Sequence, residues 1–154
     1  MTARDTYPLH GVRILDMATV LAAPFAATLC GDMGAEVVKL ELPAGNDALR
    51  GLAPVHEGHA LFWKTANRGK KGISLDVRKP EGRTLFLRLI ERFDVLVENF
   101  RTGTLDGWGL DLARIFHRSR ATNEYGIALV CPKIQVSNLD QRAGNAEAKL
   151  YRRN

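Results

Sequence analysis

Residues 94–103 read Asp94-Val95-Leu96-Val97-Glu98-Asn99-Phe100-Arg101-Thr102-Gly103. An apolar run here empties into a polar turn built from Asn, Arg and Gly. A buried strand that ends in such a turn is the place where an α/β protein usually holds a ligand. The stretch therefore sets both the fold class to test and the edge on which to look for function.

Working back from it, Pro80 opens a helix in which Leu85, Phe86, Leu89, Ile90 and Phe93 fall on one face, while Arg83, Arg88, Glu91 and Arg92 take the others. Ile73–Val77 reads as a strand before that helix. Further back, Glu36–Glu41 alternates apolar and charged residues and reads as another strand. Val12–Met17 is the first strand, opening after Gly11. Pro24 suits the first turn of a helix that Phe25–Met33 continue, and Gly34 is a suitable stop. Residues 43–60 are loop-like, with Pro43, Gly45, Asn46, Gly51, Pro54 and Gly58, and Leu61-Phe62-Trp63 starts a helical turn. Strand, helix, strand, loop, strand, helix, strand predicts an α/β protein with a Rossmann-like, mostly parallel sheet and flanking helices. Three segments then fall at the carboxyl ends of strands: Ala18–Ala23, the loop after Leu40, and 99–103.

Downstream, Leu112–His117 reads as a short helix and Gly126–Cys131 as one more strand. Between them Arg118–Glu124 is a weak breaker, and from Pro132 onward no period persists. The expected division is an α/β unit over 1–118 and a divergent or disordered tail over 119–154. Two accounts of the tail stay open: a flexible terminus, or a frameshifted or otherwise replaced continuation.

The 154 residues suffice for one domain and one core. A hydrophobic content of 45% and a charged content of 25% are those of an ordinary globular protein. The formal charge of +5 favours anionic partners without choosing among phosphate esters, nucleic acid and acidic membranes. Cys30 and Cys131 are far apart in apolar settings, which excludes a disulfide framework and fits reduced thiols. The N-terminus lacks the apolar core of a signal peptide. The longest apolar stretch, Met17–Leu29, is interrupted by Thr19, Pro24 and Thr28 and is too short for a bilayer. A cytoplasmic protein with no membrane partner is expected.

Three segments carry chemistry. In Leu21-Ala22-Ala23-Pro24 the small residues admit a ligand close to the backbone, and a helix start offers N–H groups to an anion, although the residues alone favour a tight strand-to-helix connection with no ligand. In Lys64–Asp76, the cations Lys64, Arg68, Lys70 and Lys71 lie within eight residues, ahead of a strand. Arg68 can grip a phosphate bidentately, with Lys70 and Lys71 as point charges. A solvated loop is the alternative for such a run. In the third segment, Phe100 offers an apolar face beside Asn99 and Arg101, although on the residues alone Phe100 reads as core and Asn99 as a turn former. His56 and His59 lack a third ligand, so no metal site is expected. No Gly-x-Gly-x-x-Gly or Gly-x-Ser-x-Gly motif is present.

Taken in order, Pro8-Leu9-His10-Gly11 with Leu21–Pro24, Asn67–Asp76, and Asn99-Phe100 with its glycine turn resemble the N-terminal half-domain of the family III CoA-transferases. These are the relatives of formyl-CoA transferase, carnitine CoA-transferase and α-methylacyl-CoA racemase. The resemblance covers about residues 8–117. It implies coenzyme A as ligand, contacted by Leu21, Ala22, Ala23, Asn67, Arg68, Lys70, Lys71, Asn99, Phe100 and Arg101, with no metal. It implies an acyl-CoA and a carboxylic acid as substrates. In the family an aspartate attacks the thioester to give a mixed anhydride, whereas racemase relatives move the α-proton with a histidine and an aspartate. That aspartate lies in a glycine-rich stretch farther along than this chain reaches, so no catalytic residue is assigned. The chain is expected to be a truncated front portion, incomplete relative to the family fold and inactive alone. Full-length relatives are homodimers of interlocked chains. Some place a CoA-contacting arginine where this chain has Gly107, a departure that weakens the match for the 3′-phosphate. A non-catalytic nucleotide- or CoA-binding module and a racemase fragment are the alternatives. A nucleic-acid binder ranks last, because few aromatics interleave with the cations.

Overall fold

The computed structural model describes residues 7–44, 47–101 and 103–110. Strand β1 (Arg13–Asp16) is the axis of a four-stranded sheet, paired in parallel with β2 (Glu36–Glu41) on one side and β6 (Val95–Val97) on the other. β5 (Lys71–Ser74) adds in parallel to the far side of β2, giving the order β5-β2-β1-β6. The expected α/β class and mostly parallel sheet are therefore observed.

Side chains on a strand alternate between faces, and β1 is sorted by that rule. Ile14 packs with Val37, Ala23 and Ala27, under helix α1 (Ala22–Asp32). Leu15 packs on the other face with Phe86 and Ile90 of helix α3 (Pro80–Ile90), together with Leu96, Phe93 and Leu110. Phe86, Ile90, Leu15 and Leu96 are fully buried, which contributes roughly 1.5–3 kcal/mol for each side chain. α3 starts on Pro80, whose missing N–H costs nothing in a first turn.

The sheet departs from the sequence reading at β5. The strand runs Lys71–Ser74, not Ile73–Val77. Leu75 still donates to Glu41 O (2.9 Å), but Val77 N–H turns back to Leu75 O (3.1 Å) and the Asp76 carboxylate accepts from Arg78 N–H (3.2 Å). That local turn ends the ladder, and Val77 is buried as a plug under α3 rather than as a strand residue. β1 is shorter than Val12–Met17, although Met17 N–H still reaches Val97 O at 2.9 Å.

The 43–60 stretch holds more structure than a loop. A 3-10 turn covers Ala48–Gly51, and β3 (Val55–His56) with β4 (His59–Ala60) forms a tight hairpin. Glu57 and Gly58 both have positive φ, 49° and 75°, as a two-residue primed turn requires. Helix α2 (Leu61–Ala66) follows directly, and α4 (Thr104–Gly107) follows β6. Among the described residues, no helix is long and apolar enough to cross a membrane. The helix expected at 112–117, the strand expected at 126–131 and the tail over 119–154 lie outside the described residues.

Candidate functional site: the carboxyl edge of the sheet

The chain leaves β1 to build β2 and β5 on one side, then returns through α3 to place β6 on the other. The gap between β1 and β6 is thus the point where strand order reverses. In such sheets a crevice opens there, outside the carboxyl ends of the strands. Two connections meet at it, residues 17–21 and 98–101.

Every backbone polar group of Ala18 and Thr19, and the N–H of Val20, is held by a side chain. Ala18 N–H donates to Asp16 Oδ1 (3.0 Å), and Lys39 Nζ donates to Ala18 O. Asn99 accepts from Thr19 N–H through Oδ1 (2.7 Å) and donates from Nδ2 to Thr19 O (2.8 Å). Val20 N–H donates to Asp47 Oδ1 (2.9 Å). Val20 itself sits at φ 65°, the left-handed region, where a β-branched residue is a genuine outlier costing on the order of 1–3 kcal/mol. α1 then begins with no side-chain cap and no acidic residue in its first turn, so none of its own first-turn side chains offsets the positive end of the helix. Leu21 and Ala22 are exposed, while Ala23 is buried.

Beneath this turn lies a buried quartet of charges. Asp16 and Lys39 are cross-strand partners on the α1 face. Lys39 Nζ is 3.7 Å from both Asp16 Oδ1 and Asp47 Oδ2. Lys70 Nζ donates to Asp16 Oδ2 (2.7 Å), Pro24 O (2.6 Å) and Asn67 Oδ1 (2.9 Å). An ammonium has three donors, so Lys70 has none left for a ligand. Burial pushes the Lys70 ammonium below its ordinary value, and the Asp16 carboxylate opposes that shift.

On the β6 side, Glu98 is buried and accepts from Phe100 N–H (2.9 Å), shaping the Asn99-Phe100 turn. Burial raises its pKa, against that backbone bond. Phe100 stacks edge-on against Trp108 (4.9 Å, 68°) and packs against the core, so its ring is only partly exposed. Arg101 is exposed.

A second recess lies at the carboxyl ends of β2 and β5. It measures about 440 Å³ and is lined by Glu41, Leu42, Arg50, Gly72, Ile73 and Ser74. Arg50 lies 3.7 Å over the Trp63 ring and clamps Glu41 with two hydrogen bonds of 2.9 and 2.8 Å.

Comparison with known proteins fits this geometry. The model of the family described as CoA-transferase family III matches residues 9–120. The chain belongs to that family. It is 51% identical over 106 residues to the β subunit of the succinyl-CoA–L-malate CoA-transferase of Chloroflexus aurantiacus, covering 68% of this chain and 26% of that protein. It is 41% identical over 104 residues to a human succinyl-CoA:glutarate CoA-transferase, covering 67% of this chain and 24% of that protein. Among solved structures, Rv3272 of Mycobacterium tuberculosis superposes with a TM-score of 0.68 at 36% identity, over 75% of this chain and 32% of that one. A CAIB/BAIF family protein from Brucella suis superposes with a TM-score of 0.66 at 38% identity, over 73% and 31%. The chain spans about a quarter of the length of these curated relatives.

For a family III chain, the residues expected at the ligand divide into three groups. Leu21, Ala22 and Ala23 follow the connection after β1, and Asn99, Phe100 and Arg101 the end of β6; Asn99 ties the two connections together at Thr19. Lys70 is spent on Asp16, Pro24 and Asn67, and Asn67 accepts from Lys70 through Oδ1 while its Nδ2 donates to Trp63 O at 3.4 Å. Arg68 and Lys71 lie elsewhere. Arg68 pairs with Asp32, the last residue of α1, and lies 5.7 Å over the Phe25 ring. Lys71 pairs with Glu36, the first residue of β2, at 2.5 Å. The basic run is thus not one cradle, because three of its cations have carboxylate partners within the fold. Asp16, Lys39, Asp47 and Arg50 escaped the sequence reading. One signal was available: Lys39 follows Val37 by two, so it shares the apolar face of β2 and calls for a buried counter-charge.

Proposed function

We propose that this chain supplies the CoA-binding front portion of a family III CoA-transferase, the type of enzyme that moves CoA between an acyl-CoA and a carboxylic acid. The observation that carries this reading is the strand-order reversal at β1/β6, with Asn99 tying the two connections together above an uncapped helix start. Backbone amides at Leu21, Ala22 and Ala23, the half-exposed face of Phe100 and the Arg101 guanidinium form the contact surface in this proposal. Arg68 and Lys71, each paired with an exposed carboxylate, lie outside that surface. The two CoA-transferase relatives are named for succinyl-CoA with malate or glutarate. We extend that to this chain as a short acidic acyl-CoA and a free carboxylic acid.

The described residues support binding rather than acyl transfer. Their buried carboxylates already serve the fold: Asp16 holds Lys70, Asp47 holds Val20, and Glu98 holds Phe100. A nucleophilic carboxylate needs an open approach to the thioester. The resemblance implies a homodimer, whereas relatives in Chloroflexus aurantiacus are named as α and β subunits.

Calorimetric and thermal-shift titration tests the reading. CoA should raise the Tm, 3′-dephospho-CoA should do so less, and single-stranded DNA should not compete. A chain that ignores CoA and is stabilised by DNA refutes it.

A further inference from the structure

We propose that Asp47 is a positioning residue for the ligand mouth: its buried carboxylate holds Val20 in the left-handed conformation that gives the β1–α1 turn its shape. The inference rests on the CoA-binding reading above and names a residue that touches no ligand in it.

Strain at a single residue persists only where its surroundings over-determine it. Val20 is 45% exposed, so burial of its side chain does not explain the conformation. The explanation lies in the tethers. Asn99 fixes the peptide before Val20, and Asp47 Oδ1 takes the Val20 N–H. The same oxygen accepts from Leu49 N–H at 3.0 Å, closing the 3-10 turn that carries Arg50. Asp47 is 4% exposed, and its Oδ2 has no hydrogen-bond partner among the described residues, only the Lys39 ammonium at 3.7 Å. A carboxylate held this way is fixed in place by charge while its other oxygen does the positioning. Asp47 therefore links the wall of the β2/β5 recess to the switch-point mouth. The amides of Leu21 and Ala22 follow Val20 directly, so its φ sets their direction.

The test uses the full chain, with CoA as probe, and reads affinity by calorimetry and amide hydrogen exchange at Val20. Asp47→Ala should weaken CoA binding at least about 10-fold and speed exchange at Val20. Adding Val20→Gly should recover most of that affinity, because glycine enters the left-handed region without penalty, while the lowered Tm stays low. A merely structural Asp47 gives no such recovery, and a double variant that binds no better than Asp47→Ala overturns the proposal. Should Asp47→Ala not fold, Val20→Pro decides: it removes the N–H and forces φ negative at an exposed position. It should also cost at least about 10-fold in affinity, and wild-type affinity in that variant overturns the proposal. Should the wild-type chain not bind CoA, the functional reading falls by itself. Exchange at Val20 then decides whether Asp47 holds the turn, and unchanged exchange in Asp47→Ala overturns it.

Discussion

Asn99 holds Thr19 by both sides of its backbone, accepting its N–H at 2.7 Å and donating to its carbonyl at 2.8 Å, across 80 residues of sequence. This paired contact ties the connection after β1 to the connection after β6 at the carboxyl ends of the two strands. Asn99→Ala leaves both Thr19 groups without their partner in a part-buried setting, at a cost of about 1–3 kcal/mol. Asn99→Asp keeps the acceptor and turns the donor into an oxygen facing a carbonyl. Both variants should unfold at lower urea and lose CoA-induced stabilisation. Urea midpoints equal to wild type would show that the clamp contributes nothing.

Two neighbouring cations should behave in opposite ways. Lys70 is buried against Asp16, with 2% of its side chain exposed, and removing one partner of such a pair costs about 3–5 kcal/mol. Arg68 and Asp32 are both more than two-fifths exposed, and an exposed pair is worth about 0–1 kcal/mol. Urea unfolding of Lys70→Ala and Arg68→Ala should separate them by several kcal/mol. Similar losses for the two would contradict the buried quartet.

Glu98 predicts a pH dependence. Burial raises its folded-state pKa above the ordinary 4.5. The folded protein then binds this proton more tightly than the unfolded chain does. Its favourable contribution is complete below about pH 4.5 and disappears as pH rises through the elevated value. Glu98→Gln keeps an oxygen to accept Phe100 N–H and carries no charge. The Tm advantage of Glu98→Gln over wild type should be small in acid, grow across that window and then level off. A difference independent of pH would refute the assignment.

Gly82 reverses the usual helix rule. It lies inside α3, where Gly→Ala normally gains about 1 kcal/mol. A Cβ at Gly82 would lie 1.9 Å from Asp76 O and 2.7 Å from Asp76 C, both backbone atoms. Gly82→Ala must push α3 off the turn after β5, costing about 1–3 kcal/mol. A Tm at or above wild type would show that the contact yields without cost.

Local pattern made much of this legible. Glu36–Glu41 matches β2 residue for residue, because strand alternation is a property of six consecutive side chains. Pro80 marks the start of α3 for the same local reason. β5 was misplaced because Ile73–Val77 is apolar in alternation, yet the Asp76–Arg78 turn competes with the ladder and wins. The Ala48–Gly51 turn and the Val55–Ala60 hairpin were hidden among Gly and Pro residues that signal a loop equally well.

By itself the sequence determined the family, the α/β class and the strand directions. Each follows from periodicity, turn residues and the order of short motifs along one chain. Tertiary structure alone decided which charges remain available. Lys70 is consumed by Asp16, 54 residues away, and Lys71 by Glu36, 35 residues away. A cation's charge is written in its residue type, but its partner is chosen by which strands lie side by side, and the local pattern holds no record of that choice.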